Sequence, residues 1–378
     1  MERKKILKGS AEKKRILVAP LDWGLGHATR SIPLIIELLN QNVDVVLAAD
    51  GRPYDLLQRE FPSLPIVRLS GYGIRYSEDG NIVSEMLRQL PRIAASVIRE
   101  HRTLSKLIKD LKIDAVISDN RFGLFSRCVP CIYVTHQIAI RMPRSLEWFS
   151  RTALMMHELL IRRYDECWIP DHAEEANLSG SLSHGFPLPA NARYIGPLSR
   201  FKTDPNAKLD YDVVAVLSGP EPQRTIFEGI IVEQLRNSQW KSLVVRGVPE
   251  KSQHIKLSDS LSVVSFLESD ALSRAMQSAA VIVARPGYST LMDLAFIGRQ
   301  AILVPTPGQT EQEYLANTLK SKGLFCIQEQ ENFDLKKALT QAGTAPGFSR
   351  LPSTATLVTE AVQRLIALIP NKVSVTAR

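Results

Sequence analysis

Cysteine is scarce in this sequence. Four occur in 378 residues, three of them inside apolar runs, which excludes a disulfide scaffold and fits a reducing compartment. No stretch approaches 18 consecutive apolar residues, so no transmembrane helix is expected. Residues 1–15 are charged and have no apolar h-region, so no secretory signal is expected there. The chain also lacks a Gly-x-Gly-x-x-Gly run at its first strand–helix turn, because Thr29 takes the third glycine's place. That argues against a dinucleotide fingerprint. Cys128-Val129-Pro130-Cys131 has no second pair to complete a zinc site and reads as buried packing. Histidines 101, 157, 172, 184 and 254 show no ligand spacing. No metal and no resident cofactor are expected.

What is present is an ordinary globular composition, 44% hydrophobic and 23% charged, in a chain long enough for two domains. Basic residues exceed acidic ones by 47 to 39. The excess is +6 in residues 1–200 and +2 in the remainder. Such a surface suits an anionic substrate or an anionic membrane face; no nucleic-acid partner is expected.

Apolar strands alternate with amphipathic helices throughout, which predicts right-handed βαβ units and mostly parallel sheets. Strands are expected at 15–21, 43–49, 65–69, 114–118, 131–135, 166–169 and 193–195. A second set is expected at 211–217, 242–245, 262–265, 281–284, 300–304 and 324–328. A long basic helical stretch, 85–111, should break at Pro91. Residues 196–210 carry Pro197 and Pro205 without apolar periodicity and read as a linker. The expected division is 1–200 and 201–378, two Rossmann-like units.

Ligands of open α/β sheets bind beyond the C-terminal ends of the strands, and three runs fall there. The first is Leu21-Asp22-Trp23-Gly24-Leu25-Gly26-His27. Gly24 and Gly26 allow a tight turn, and His27 then opens a helix at the crevice, where an imidazole can act as a base. A capping histidine is the alternative. The second is Arg285-Pro286-Gly287-Tyr288-Ser289-Thr290 with Asp293 one turn on. A helix start of this kind offers free N–H groups to a phosphate, or is a simple cap. The third is Thr306-Pro307-Gly308-Gln309-Thr310-Glu311-Gln312-Glu313, whose acidic and amide groups suit sugar hydroxyls. Thr310 and Glu313 would equally serve as a capping pattern.

Together these runs resemble glycosyltransferase family 28, the UDP-sugar transferases of the GT-B fold, over roughly residues 14–370 and most strongly over 281–317. The resemblance implies an α/β fold of two Rossmann-like domains facing each other across a cleft, with the N-terminal one on the acceptor side and the C-terminal one holding the donor. It implies inverting, metal-independent transfer of a hexose or N-acetylhexosamine from a UDP-sugar. By the same resemblance His27 is the base, and Arg200 and Thr290 contact phosphate. Ser218 and Gly219 lie in the phosphate loop, Phe266 and Leu267 at the uracil, and Asp293 at the ribose. Gln312 and Glu313 face the donor sugar. Arg285, Gly287, Ser289 and Glu311 fall within the same donor-side runs. The sequence departs from the family at four places, the first being a less Gly-rich loop at residues 21–27. Asp293 replaces a Glu, Glu313 replaces a Gln, and Leu217-Ser218-Gly219-Pro220-Glu221-Pro222 replaces Gly-Gly-Ser-Gln-Gly. The sugar is therefore left open.

Asp119 ends a strand in Ser118-Asp119-Asn120, as a base-orienting Asp does in plant-type UDP-sugar transferases; local turn bonds are the alternative. His136 and Gln137 end the next strand and join Gly24 and Gly26 on the acceptor side. The acceptor is unknown, either lipid-linked or a small glycan. Residues 141–163 mix Trp148, Phe149, Met155 and Met156 with five arginines. This makes an anionic membrane surface a candidate partner, for a cytoplasmic protein peripheral on the inner face, unless the stripe is a core face. Two rival readings remain. One is a UDP-sugar 2-epimerase of the same fold, whose Asp-Ser-Gly-Gly run is here Arg285-Pro286-Gly287-Tyr288. The other is a non-catalytic nucleotide-sugar-binding protein.

Overall fold

The computed structural model describes residues 13–72, 82–141, 144–174, 177–204, 206–349 and 355–370. The first sheet comprises β1 (Arg15–Pro20), β2 (Asp44–Ala49), β3 (Ile66–Arg68), β4 (Ala115–Asp119), β5 (Cys131–Val134), β6 (Glu166–Ile169) and β7 (Ala192–Tyr194). Its order is β3-β2-β1-β4-β5-β6-β7, parallel throughout. The central strands are short apolar runs because both faces are covered: Ile16–Ala19 and Ala115–Asp119 are buried at every residue. The connecting helices are α1 (Gly26–Asn40), α2 (Gly51–Glu60), α3 (Ile82–Asp110) and α4 (Ser150–Ile161).

The second sheet repeats the pattern with β8 (Tyr211–Val216), β9 (Ser242–Val245), β10 (His254–Lys256), β11 (Leu261–Val264), β12 (Ala279–Ala284), β13 (Ala301–Leu303) and β14 (Cys326–Ile327). The order is β10-β11-β9-β8-β12-β13-β14, and only β10 runs antiparallel to its neighbour. Its helices are α5 (Gln223–Arg236), α6 (Ser269–Gln277), α7 (Tyr288–Ile297), α8 (Thr310–Ser321) and α9 (Leu335–Ala342). The final helix, α10 (Ala355–Leu368), crosses back to α1. Lys14 Nζ secures it, donating to Ile366 O at 2.6 Å. One hydrophobic cluster runs from Ile16 and Ile32 to Leu291 and Leu365, so the core is continuous between the two sheets.

Three expectations are corrected. Helix α3 runs through Pro91 without a break. A proline costs the helix about 3 kcal/mol, and the turns that follow are anchored by buried Leu104 and by Glu100, which accepts from Arg121 Nε at 2.6 Å. The linker segment is irregular but not loose: Leu198 and Phe201 are buried, and Lys202 O accepts from Ser273 and Gln277. Cys131 is buried, but Cys128 is exposed, so the pair is not jointly core. Strand β10 and helix α9 were not expected.

Candidate active site

The first strand delivers its chain to the crevice through Leu21, whose N–H bonds to Asp119 O at 2.9 Å. Gly24 then takes a φ of +74°, a turn that a side chain would strain. Gly26 opens α1, and a Cβ there would stand 3.2 Å from Ser289 Oγ. The starts of α1 and α7 thus meet across the cleft.

His27 is the second residue of α1, with a side chain 13% exposed. Its Nδ1 lies 2.8 Å from Asp119 Oδ1. Asp119 is the last residue of β4, in register with Pro20 of β1, and is fully buried. Nε2 makes no hydrogen bond to any described residue. One helical turn on, Arg30 grips the same carboxylate: Nε donates to Oδ2 at 2.6 Å and Nη2 to Oδ1. Burial alone would push the Asp119 carboxyl up, but Arg30 and His27 bring it below its ordinary value. Arg30 is likewise held above its ordinary value against burial, by Asp119 and Glu311.

The network continues across the cleft. Arg30 Nη1 lies 2.7 Å from His136 Nδ1, and His136 Nε2 lies 2.9 Å from Glu311 Oε1 on α8. Gln137 Nε2 donates to the other Glu311 oxygen. Tyr288 stacks on His136, ring centroids 4.1 Å apart and 7° from parallel. Burial holds His136 below the ordinary imidazole value despite Glu311, so the ring is neutral at pH 7. Glu311 lies below the ordinary carboxylate value, because His136, His27 and Arg30 outweigh its burial.

On the α7 side, Gly287 is the extended N-cap residue, no side chain caps the helix, and Ser289 and Thr290 are partly exposed. Ser289 Oγ donates to Gly26 O at 2.7 Å. Arg200 and Asp293, expected as separate contacts to phosphate and ribose, form one buried pair with Nε 3.8 Å from Oδ2. Asp293 Oδ1 accepts from Ser199 Oγ at 2.7 Å, so this carboxylate faces the linker rather than an open crevice. Burial pushes Asp293 up to about 6, against the pull of Arg200. Arg200 Nε and Nη1 are buried without a hydrogen-bond partner. Gly219 has a φ of +106°, and a Cβ on it would stand 3.3 Å from the unpartnered buried hydroxyl of Thr306, which places Ser218 and Gly219 at that loop. Phe266 and Leu267 follow β11, half-buried against the main core.

Other expected donor contacts are corrected. Arg285 is fully buried and donates to Val304 O, Pro305 O, Gln223 O and Gln330, over the ring of Phe227. It ties strand ends together and does not reach the cleft. Gln312 accepts from Thr306 N at 2.8 Å and donates to Gln309, and Glu313 accepts from Gly308 N at 2.9 Å. These two side chains make hydrogen bonds within the turn 306–310. A cavity of about 330 Å³ opens beside that turn, lined by Thr306, Glu313, Asn317, Lys320 and Gln330 among others. No Asp-x-Asp run was expected, but Asp210-Tyr211-Asp212 is one. It stands at the start of β8, at the opposite end of the sheet from the crevice, where Lys241 bonds to both carboxylates. Among the described residues no cluster of three metal-ligating side chains occurs.

Arg30 and Tyr288 were missed as site residues. The spacing of His27 and Arg30, three apart and hence on one helix face, was a signal available in the sequence.

The pattern of the Glycosyltransferase family 28 C-terminal domain matches residues 226–350, and that of Glycosyl transferase family 1 matches residues 14–150. An uncharacterized glycosyltransferase of Methanosarcina mazei is 22% identical over 82% of this chain and 84% of its own length. The UDP-N-acetylglucosamine--N-acetylmuramyl-(pentapeptide) pyrophosphoryl-undecaprenol N-acetylglucosamine transferase of Methylorubrum extorquens is 35% identical, over 27% of this chain and 30% of its own length. Among solved structures, the glycosyltransferase SnogD of Streptomyces nogalater superposes with a TM-score of 0.58 at 13% identity, covering 95% of this chain and all of that one. MurG of Acinetobacter baumannii superposes with a TM-score of 0.52 at 14% identity, covering 93% of this chain and all of that one. Two Rossmann-like sheets with a site at the meeting of α1 and α7 define a GT-B glycosyltransferase. The chain is a glycosyltransferase of this fold, and residues 226–350 match the family 28 C-terminal domain.

Proposed function

We propose that the protein transfers a hexose or N-acetylhexosamine from a UDP-sugar to an acceptor hydroxyl, with inversion, without a metal and without a resident cofactor. The observation that carries this reading is the His27–Asp119 pair, set at the start of α1 against the start of α7. His27 Nε2 takes the proton of the acceptor hydroxyl. The acceptor oxygen bonds to the anomeric carbon from the face opposite the diphosphate, and the bond from that carbon to the diphosphate oxygen breaks. UDP leaves with the electron pair. Asp119 stabilises the imidazolium that forms. The free N–H groups of α7, and the Nε and Nη1 of Arg200 that make no hydrogen bond, suit the charge that grows on the leaving diphosphate. Relatives that match about a quarter of this chain, by their names, use UDP-N-acetylglucosamine, which supports a UDP-sugar donor.

Those names also include an undecaprenol-linked acceptor, which supports a lipid-linked acceptor here. The surface agrees with this. Trp148 is 79% exposed, and Met155, Met156 and Leu159 on α4 are each more than half exposed, beside exposed Arg151. An apolar stripe edged with arginine fits a peripheral contact with an anionic bilayer. Arg141 does not belong to it, for its guanidinium lies 4.1 Å from the ring centre of Tyr314. No helix among the described residues is long and apolar enough to cross a membrane.

The test is to incubate the protein with labelled UDP-hexoses and an extract of lipids and small glycans. Acceptor-dependent release of UDP with labelled product supports transfer. Isomerised UDP-sugar without acceptor supports an epimerase, and binding without turnover supports a binding protein.

A further inference from the structure

Arg30 is 2% exposed, and its guanidinium touches both oxygens of Asp119 and the Nδ1 of His136. A guanidinium has donors and no acceptor. His136 Nδ1 is therefore the acceptor in that contact, and the proton of its neutral ring sits on Nε2, facing Glu311 Oε1. The same rule orders the other end. His27 Nδ1 stands 2.8 Å from an Asp119 oxygen and 3.0 Å from Arg30 Nη2. The shorter contact is to a group that can only accept, so Nδ1 carries the proton and Nε2 keeps its lone pair.

We propose that Arg30 is a positioning residue, which locks Asp119 in the orientation that receives His27 Nδ1–H, supplies the counter-charge to that buried carboxylate, and is held by His136 beside it and, through His136, by Glu311 from across the cleft. The proposal rests on His27 being the base. A buried carboxylate without a counter-charge would stabilise the imidazolium beside it, and a base already protonated accepts nothing. The planar guanidinium fork meets both carboxylate oxygens at once, which an ammonium cannot do. The titratable groups facing His27 are Asp119 of β4, Arg30 of α1, His136 after β5 and Glu311 of α8. Arg30 is the cation among them.

Diethyl pyrocarbonate acylates an unprotonated imidazole, so peptide mass spectrometry reads the state of His27 in the full chain without any substrate. In Arg30→Gln, modification of His27 at pH 6.5 should slow several-fold, because the uncompensated Asp119 carboxylate favours the imidazolium, and should converge with the wild type at pH 8.5. The near-isosteric double variant Arg30→Gln/Asp119→Asn removes both charges and should return the pH 6.5 rate to within about twofold of wild type, as coupled partners do. It also serves if the single variant does not fold. Faster modification at both pH values would mean that Arg30 merely fills space, and would overturn the proposal. So would a double variant whose pH 6.5 rate stays well away from the wild type. The turnover of His27→Ala is a separate measurement. A dispensable His27 refutes the base, whereas an essential His27 with no pH-dependent response to Arg30 refutes only the role given to Arg30.

Discussion

Ser289 Oγ donates to Gly26 O at 2.7 Å, joining the first turn of α7 to the first turn of α1 across 263 residues of sequence. Both helices follow central strands, β12 and β1, so the crevices of the two sheets face one another at this point. Acceptor and donor would meet here, and the first prediction concerns the residue beside it.

His27→Ala should lower turnover by about 10²–10⁴, the range for loss of a general base. UDP affinity should hold, because the proposed donor contacts lie on the other half. Initial rates of UDP release, with the acceptor found by the labelled screen, check this. A turnover near that of wild type would remove His27 from the mechanism.

Arg200 presents buried N–H groups without hydrogen-bond partners. If they receive the diphosphate, Arg200→Gln should weaken UDP binding by roughly 1–3 kcal/mol, the range for a hydrogen bond to a charged group. Isothermal calorimetry decides the matter, and an unchanged affinity would place the diphosphate elsewhere.

Asp293 carries a pH signature. Its carboxyl is raised to about 6 in the folded protein, against about 3.9 in an unfolded chain. The folded state therefore favours the protonated form. The stabilisation is fully present below about pH 4 and is lost as pH rises through about 6. Over that window the wild type should lose on the order of 2–3 kcal/mol relative to Asp293→Asn. Denaturant unfolding of both proteins at pH 4.5 and 7.5 measures it, and a difference that is flat with pH would contradict the shift.

Arg285 is assigned to structure. Arg285→Met should cost roughly 2–4 kcal/mol by leaving the carbonyls of Val304 and Pro305 and the amide of Gln330 unpaired. UDP affinity should be unchanged at temperatures where the variant is folded. Retained thermal stability with lost UDP binding would return Arg285 to the donor site.

Trp148 is exposed, so Trp148→Ala should leave the melting temperature unchanged and weaken sedimentation with vesicles containing anionic lipid. Binding should also fall as salt rises to about 0.5 M, since each basic residue near such a surface contributes about 1 kcal/mol that salt screens. Absence of binding at low salt would turn the search towards a soluble acceptor.

The sequence by itself determined the α/β alternation, nearly every strand, and the three runs at the strand ends. Each depends on local chemistry: apolar runs of strand length, glycines at tight turns, and helices that start just past a strand. Strand β10 escaped because it has three exposed residues and no apolar alternation. Helix α9 was legible in the spacing of Leu335, Ala338 and Ala342 behind the Asp334 cap. Only the tertiary structure decided which polar side chains of those runs face the cleft. Arg285 and Glu311 stand in similar strand–helix turns, yet one guanidinium is consumed by backbone carbonyls and one carboxylate reaches His136 on the other half. The chain of Glu311, His136, Arg30, Asp119 and His27 draws on three elements and one loop-end residue up to 284 positions apart, and no local spacing encodes it. A buried charge goes where long-range packing supplies its partner, and that is settled only when the sheets come together.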